Sequence, residues 1–169
     1  MKKALFLDRD GIINRDYGYV YEIEKFEFNK AIFDIVRYFQ DKDYLVIVIT
    51  NQSGIGRGYY SEDDFLRLSK YMLEEFKKRG LNINSIYYCP HSPEQKCNCR
   101  KPNTKMIESA KKDFNIDLKN SIMVGDKQSD INLAKNAGIS TTIAIGDRDI
   151  KDSTYKFKTI DKFREFLLT

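Results

Sequence analysis

Residues 4–11 read ALFLDRDG: four apolar residues run into two acids flanking an arginine, and a glycine closes the run. A short uncharged segment bounded by charge and glycine has the pattern of a strand buried in a parallel sheet. Its end carries Asp8 and Asp10. From this segment outward, strand and helix patterns alternate. Residues 30–41 place Ile32, Ile35, Val36 and Phe39 at helical spacing. Residues 44–50, YLVIVIT, are rich in β-branched residues and uncharged, the strongest strand pattern in the chain. Ser61 followed by Asp64 marks a helix start, and the helical period runs on until Gly80. SIYYC (85–89) reads as a strand, and Pro102 and Asn103 open a helix to about residue 114. SIMVGD (121–126) is a strand, DINLAKNAG (130–138) a helix and STTIAIGD (140–147) a strand, and the last dozen residues form a terminal helix. The order predicts an α/β fold, a doubly wound, mostly parallel Rossmann-like sheet in a single domain spanning 1–169. Too little chain lies between the strands for a large cap domain.

Composition narrows the functional classes. The 169 residues are 41% hydrophobic, enough for a core, and 29 basic against 25 acidic residues give a formal charge of +4. That balance suits a small anionic ligand and lacks the dense basic stripe of a nucleic-acid binder. No apolar run reaches the roughly 20 residues of a membrane span. The first residues have two lysines and a short apolar stretch, but charge interrupts it after Leu7, so it does not read as a signal peptide. The expectation is a cytoplasmic monomer whose thiols stay reduced, with no nucleic-acid or membrane partner.

All three cysteines and the one histidine fall within residues 89–99, CPHSPEQKCNC. An odd number of cysteines cannot pair off internally. Cys89, His91, Cys97 and Cys99 instead supply three thiolates and an imidazole, a complete tetrahedral set for zinc with no open coordination position. Such a zinc is structural. The bland alternative is a loop with chance thiols.

In sheets of this kind ligands bind beyond the carboxyl ends of the strands. The predicted strand ends carry Asp8 and Asp10; Thr50, Asn51, Gln52 and Ser53; and Asp126, Lys127 and Asp130, while Arg100 and Lys101 follow the cysteine loop. Three carboxylates round one crevice repel unless a cation or protons neutralise them. A hard divalent ion, magnesium, suits such oxygens and bridges to phosphate. Lys101, Arg100 and the Thr50 hydroxyl add groups for phosphoryl oxygens, and an aspartate is available as nucleophile. Each motif alone has a plainer reading, as an acidic turn, a polar turn, a helix cap or a solvated basic pair; their ordered co-occurrence at strand ends favours the phosphate site.

The sequence FLDRDGIIN (6–14), DYGYV (16–20), FEF (26–28), TNQSGIGRG (50–58), YYCPH (87–91), CNCRKP (97–102) and MVGDKQSDI (123–131) resembles the haloacid dehalogenase-like phosphatases. Within them it is similar to the D-glycero-D-manno-heptose 1,7-bisphosphate 7-phosphatases and the related histidinol-phosphate phosphatases, over roughly residues 4–147. The resemblance implies that Asp8 attacks phosphorus and that Asp10 serves as general acid, then base. It implies magnesium held by the Asp8 side chain, the Asp10 carbonyl and Asp126, with Lys127 and Asp130 adjacent, and phosphoryl oxygens steadied by Thr50 and Lys101. It places substrate contacts at Asp16, Tyr17, Gly18, Tyr19, Asn51, Gln52, Ser53 and Arg100. Ile12 stands where Thr or Val is usual, and the cysteine loop has only five residues between His91 and Cys97, as in the histidinol-phosphate relatives. Three functions remain open on the sequence: a heptose bisphosphate 7-phosphatase acting on a small sugar phosphate in surface-polysaccharide precursor synthesis, a histidinol-phosphate phosphatase, and a zinc-stabilised phosphate or nucleic-acid binding module without turnover.

Overall fold

A computed structural model describes residues 1–169. Six strands, β1 (Ala4–Leu7), β2 (Leu45–Asn51), β3 (Ser85–Cys89), β4 (Ile122–Gly125), β5 (Thr141–Ile145) and β6 (Tyr155–Phe157), form one sheet in the order β3-β2-β1-β4-β5-β6. Every neighbouring pair is parallel. The order reverses at β1, so its carboxyl end and that of β4 flank a topological switch point, where an open α/β sheet leaves a crevice for a ligand.

The alternation of side chains along the strands sorts the core into two layers. Leu5, Leu7, Val46, Val48 and Val124 face one side, with α1 (Ala31–Gln40), α3 (Glu62–Lys78) and α6 (Ile160–Leu168) packed over them. Ala4, Phe6, Ile47, Ile49 and Met123 face the other, under α4 (Lys105–Phe114) and α5 (Gln128–Ala137). β1 is buried along its whole length, which is why it reads as an uninterrupted apolar run. α3 starts where the sequence indicated: Asp64 N donates to Ser61 Oγ at 3.0 Å and Ser61 N to Asp64 Oδ2 at 2.9 Å. Acids fill its first turn and Lys77 and Lys78 its last, in accord with the helix dipole. No helix is long and apolar enough to cross a membrane.

Some boundaries differ from the sequence reading. The helix expected to open at Pro102 begins at Lys105, because Asn103 N bonds Arg100 O at 2.9 Å and closes a turn. That turn sends the Lys101 side chain inward. The helix expected at 130 begins at Gln128, two residues earlier. A one-turn helix, α2 (Ser53–Gly56), was not expected, since two of its four residues are glycine, the weakest helix former after proline. Both glycines are needed for close packing. A Cβ on Gly54 would stand 2.1 Å from the Tyr60 ring, and one on Gly56 2.2 Å from Gln95 Oε1. β6 was also missed: three residues with a lysine at the centre carry too little pattern to register.

Phe76 is fully buried in α3 between Phe28 and Phe33. Phe76→Ala removes a ring from a packed layer that cannot refill the space, at a cost of about 3–5 kcal/mol. At roughly 2–4 °C per kcal/mol, Tm should fall on the order of 10 °C in a calorimetric scan.

Candidate active site

β1, β2 and β4 deliver the acids and Thr50 to one end of the sheet. Beneath the surface, the Lys101 ammonium is almost fully buried and donates to Asp8 Oδ1 at 2.9 Å, Asp130 Oδ1 at 2.7 Å and the Ile49 carbonyl at 3.0 Å. Burial disfavours its charge, but Asp130 and Asp8 outweigh that and hold its pKa well above the usual lysine range. Asp130 spends its second oxygen on Lys127 N at 3.2 Å. Of the three clustered acids Asp8, Asp126 and Asp130, whose oxygens lie within 4.8 Å of one another, Asp130 therefore offers no oxygen free of hydrogen bonds.

Asp8 and Asp126 do. Asp8 Oδ1 is taken by Arg9 N at 2.9 Å and by Lys101. Asp126 Oδ1 is buried and has no hydrogen-bond partner. Burial, with the Asp130 charge added, raises the Asp8 pKa to about 6; burial, with the Asp8 charge added, raises that of Asp126 to about 7. Two carboxyls that resist ionising side by side, one with an orphaned oxygen, are what a divalent cation relieves. The residues present fit magnesium. Two glycines make room for this grouping. A Cβ on Gly11 would stand 2.2 Å from Asp126 Oδ2, and one on Gly125 2.3 Å from Asp130 Cβ.

Asp10 has the opposite environment. Burial works against its charge, but the Arg9 guanidinium and hydrogen bonds from Asn14, Arg9 and Gln52 hold its carboxyl below the usual range. Oδ1 accepts from Arg9 Nη2 at 2.8 Å and Asn14 Nδ2 at 3.0 Å, and Oδ2 accepts only from Gln52 Nε2, at 3.2 Å. Arg9 is itself buried, lies beside the Phe26 and Phe65 rings and also donates to Val20 O at 2.8 Å. It thus ties Asp10 to the end of the 16–20 loop.

Above the acids lies a cavity of about 280 Å³. It brings together Asp10, Asp16, Gly18, Tyr19, Asn51, Gln52, Ser53, Arg100 and Lys127 from the sequence reading, with Asp8, Thr50, Lys101, Asp126 and Asp130 not among its lining. Asn51 Oδ1 accepts from Lys101 N at 3.0 Å and so joins wall to floor. Gln52 is nearly closed to solvent, and its amide bonds Thr50, Asp10 and Tyr60. Tyr17 lies outside this cavity, exposed, with its hydroxyl on Glu27. The cavity also holds Arg57 and Tyr60, which the sequence reading did not single out although both adjoin TNQSG. With Arg100, whose Nη1 is buried and unpartnered, Arg57 and Lys127 make the rim cationic. A larger neighbouring cavity of about 730 Å³ is lined by Glu22, Glu24 and Glu27 against a single cation, Lys25, and so is acidic on balance.

Cys89, His91, Cys97 and Cys99 converge. Cys89 Sγ lies 3.5 Å from both His91 Nδ1 and Cys97 Sγ, and His91 Nδ1 lies 3.2 Å from Cys99 Sγ. A tetrahedral zinc with about 2.3 Å bonds to sulfur and 2.0–2.1 Å to nitrogen sets three sulfurs and one nitrogen roughly 3.5–3.8 Å apart, close to most of these separations. The Cys99–Cys89 pair is drawn closer, to 2.6 Å, without a disulfide. Burial pushes the Cys89 thiol up, whereas backbone donors at Arg100 and Cys99 overcome desolvation at Cys97 and bring it down to about 6. The donor set fits zinc. The loop also supports the cavity wall: Gly56 N donates to Pro90 O, and Gln52 N to Cys89 O, each at 2.8 Å.

Comparison with known proteins agrees with this geometry. Residues 98–144 match the HAD-hydrolase-like family. The chain is 48% identical over 165 residues to the D-glycero-alpha-D-manno-heptose-1,7-bisphosphate 7-phosphatase of Campylobacter jejuni, covering 97% of this chain and 95% of that one. It is 47% identical over 150 residues to the D-glycero-beta-D-manno-heptose-1,7-bisphosphate 7-phosphatase of Helicobacter pylori, covering 88% and 87%. Among solved structures, D,D-heptose 1,7-bisphosphate phosphatase from B. bronchiseptica, complexed with magnesium and phosphate, superposes with a TM-score of 0.87 at 25% identity, over 98% of both chains. The acids at the switch point, the buried lysine and these relatives together place the chain in the haloacid dehalogenase-like family of heptose-1,7-bisphosphate 7-phosphatases.

Proposed function

We propose that this protein is a magnesium-dependent phosphatase that removes the 7-phosphate of D-glycero-D-manno-heptose 1,7-bisphosphate through a phosphorylated Asp8. The observation that carries this reading is the contrast between Asp8, clamped from one side by Lys101 and facing Asp126, and Asp10, held nearby by Arg9 and Asn14. Two carboxylates in opposed environments take different roles.

Asp8 and Asp126, with the Asp10 carbonyl, hold the magnesium, which neutralises charge on the phosphoryl group when bound. An Asp8 oxygen bonds to phosphorus as the bond to the sugar oxygen breaks. Asp10 delivers a proton to that leaving oxygen from Oδ2, the oxygen its neighbours leave least engaged. The free protein holds Asp10 ionised; the arriving phosphate's negative charge favours a proton there in the complex. In the second half Asp10 takes a proton from water, the water oxygen bonds to phosphorus, and the bond to Asp8 breaks to release phosphate and restore the carboxylate. Thr50 holds one phosphoryl oxygen, and Lys101, whose three donors go to Asp8, Asp130 and Ile49 in the free protein, turns its Asp8 bond to another once the Asp8 carboxylate is phosphorylated. Gln52 supports Thr50 and Asp10 from behind.

The cationic rim fits a substrate with a second anionic group. Arg100, Arg57 and Lys127 face the cavity away from the buried floor, and Asn51, Ser53 and the Asp16–Tyr19 loop complete its walls. Zinc in the 89–99 loop is structural. It stiffens the segment that ends in Arg100 and Lys101 and backs α2, so that little ordering is left to do when substrate arrives. Residues 1–169 act as one domain and as a monomer, with reduced thiols suited to the cytoplasm.

Phosphate release from both heptose bisphosphate anomers and from histidinol phosphate, with magnesium, tests the substrate. Preference for a heptose bisphosphate supports the proposal; preference for histidinol phosphate redirects it to the related enzymes, and release from none defeats turnover. Asp8→Asn should reduce kcat by at least 10³-fold, the scale of a lost nucleophile, while the circular dichroism spectrum and zinc content stay unchanged. Near-normal turnover would remove Asp8 from that role. Cys97→Ser should lose zinc by metal analysis, lower Tm and raise KM more than it lowers kcat. Loss of zinc with Tm and kinetics unmoved would contradict the role given to the loop.

A further inference from the structure

The two oxygens of Asp126 have different surroundings. Oδ2 sits over Gly11, where a Cβ would come within 2.2 Å of it, and accepts from Arg148 Nη1 at 2.8 Å. The same nitrogen donates to the Asp126 backbone carbonyl at 3.1 Å. Oδ1 is buried without a partner. Arg148 lies 22 residues further on, in the loop after β5, and its own carbonyl accepts from Ile150 N at 2.9 Å and from Lys156 Nζ at 2.6 Å. The root of the side chain is therefore fixed even though the side chain is about half exposed.

We propose that Arg148 is a positioning residue for the divalent ion: it grips Asp126 by Oδ2 and the carbonyl, so that Oδ1 is the oxygen presented to the metal. The inference rests on the reading of Asp126 as a magnesium ligand and not on the identity of the sugar. A carboxylate turns readily about its terminal torsion, which is broad and two-fold. Gly11 leaves space for Oδ2 but supplies no donor to it, and no other side chain donates there. Arg148 alone breaks the symmetry between the two oxygens. Its positive charge opposes the metal's, but a half-exposed guanidinium is screened by solvent, and what it supplies is direction: two hydrogen bonds from one nitrogen to the Oδ2 and carbonyl of the same residue. Partners that orient a ligand from behind typically contribute 10–100-fold to metal affinity.

The test is magnesium binding to the full-length protein without substrate, by calorimetric titration, for the parent chain, Arg148→Ala and Arg148→Lys. The alanine variant should bind magnesium about 10-fold more weakly, the low end of that range because the side chain is half exposed, and lysine should recover part of the loss. In parallel assays, the magnesium concentration giving half-maximal activity should rise by a similar factor, with lost activity regained as magnesium is raised. Equal affinity in the parent and Arg148→Ala, or an activity loss that added magnesium does not restore, would overturn the role of Arg148. Absence of magnesium binding in the parent chain would instead overturn the ligand assignment itself, which keeps the two failures distinct.

Discussion

The Lys101 ammonium lies 2.9 Å from Asp8, 2.7 Å from Asp130 and 3.0 Å from the Ile49 carbonyl, almost out of reach of solvent. Those three partners belong to the end of β1, the end of β2 and the first turn of α5, so one cation joins segments that are distant in sequence. Removing one partner of such a buried pair typically costs about 3–5 kcal/mol, because it strands the remaining charge. Two carboxylates share this ammonium, and Asp126 adds a third acid beside them. The floor is thus short of positive charge without a metal, which is the basis of the proposed magnesium and phosphate sites. The same lysine that joins these segments also sits among the acids behind the proposed chemistry.

The cysteine loop bears on that lysine through the chain itself. Cys99, Arg100 and Lys101 are consecutive, so a clip that fixes the first restricts where the other two can go. It acts on the opposite wall as well, through Pro90 on Gly56 and Cys89 on Gln52. The glycines of α2 then have a structural reason: any side chain at 54 or 56 would push into Tyr60 or Gln95. Specificity on this account comes from short loops held rigid against one another, and Arg57, 3.7 Å from Glu94 of the cysteine loop, lies where two of them meet.

Much of this was legible in the sequence because the information was local. β1, β2 and β4 are continuous apolar runs that end in polar residues, the four sulfur and nitrogen donors fall within eleven residues, and Ser61 and Asp64 cap α3 as their spacing implied. What was not legible depends on distant partners. Nothing in DRDG marks Arg9 as buried; only the fold shows it beside Phe26 and Phe65 and bonded to Val20. Arg148 sits in a charged turn, and nothing near it in sequence points to Asp126. Gln52 lines the cavity, and only the fold shows that its amide also bonds Thr50, Asp10 and Tyr60. β6 is too short and too polar to show a period, and its pairing with β5 places it at the edge of the sheet.

The central claim is that an Asp8 oxygen bonds to the migrating phosphoryl group beside a divalent ion, with Lys101 in attendance. A crystal structure with magnesium and beryllium trifluoride, a mimic of a phosphorylated carboxylate, tests it most directly. The account predicts beryllium attached to Asp8, Lys101 within hydrogen-bond reach of a fluoride, and magnesium between Asp8 and Asp126. Beryllium fluoride seated elsewhere, with the Asp8 carboxylate turned away from it, would contradict the account.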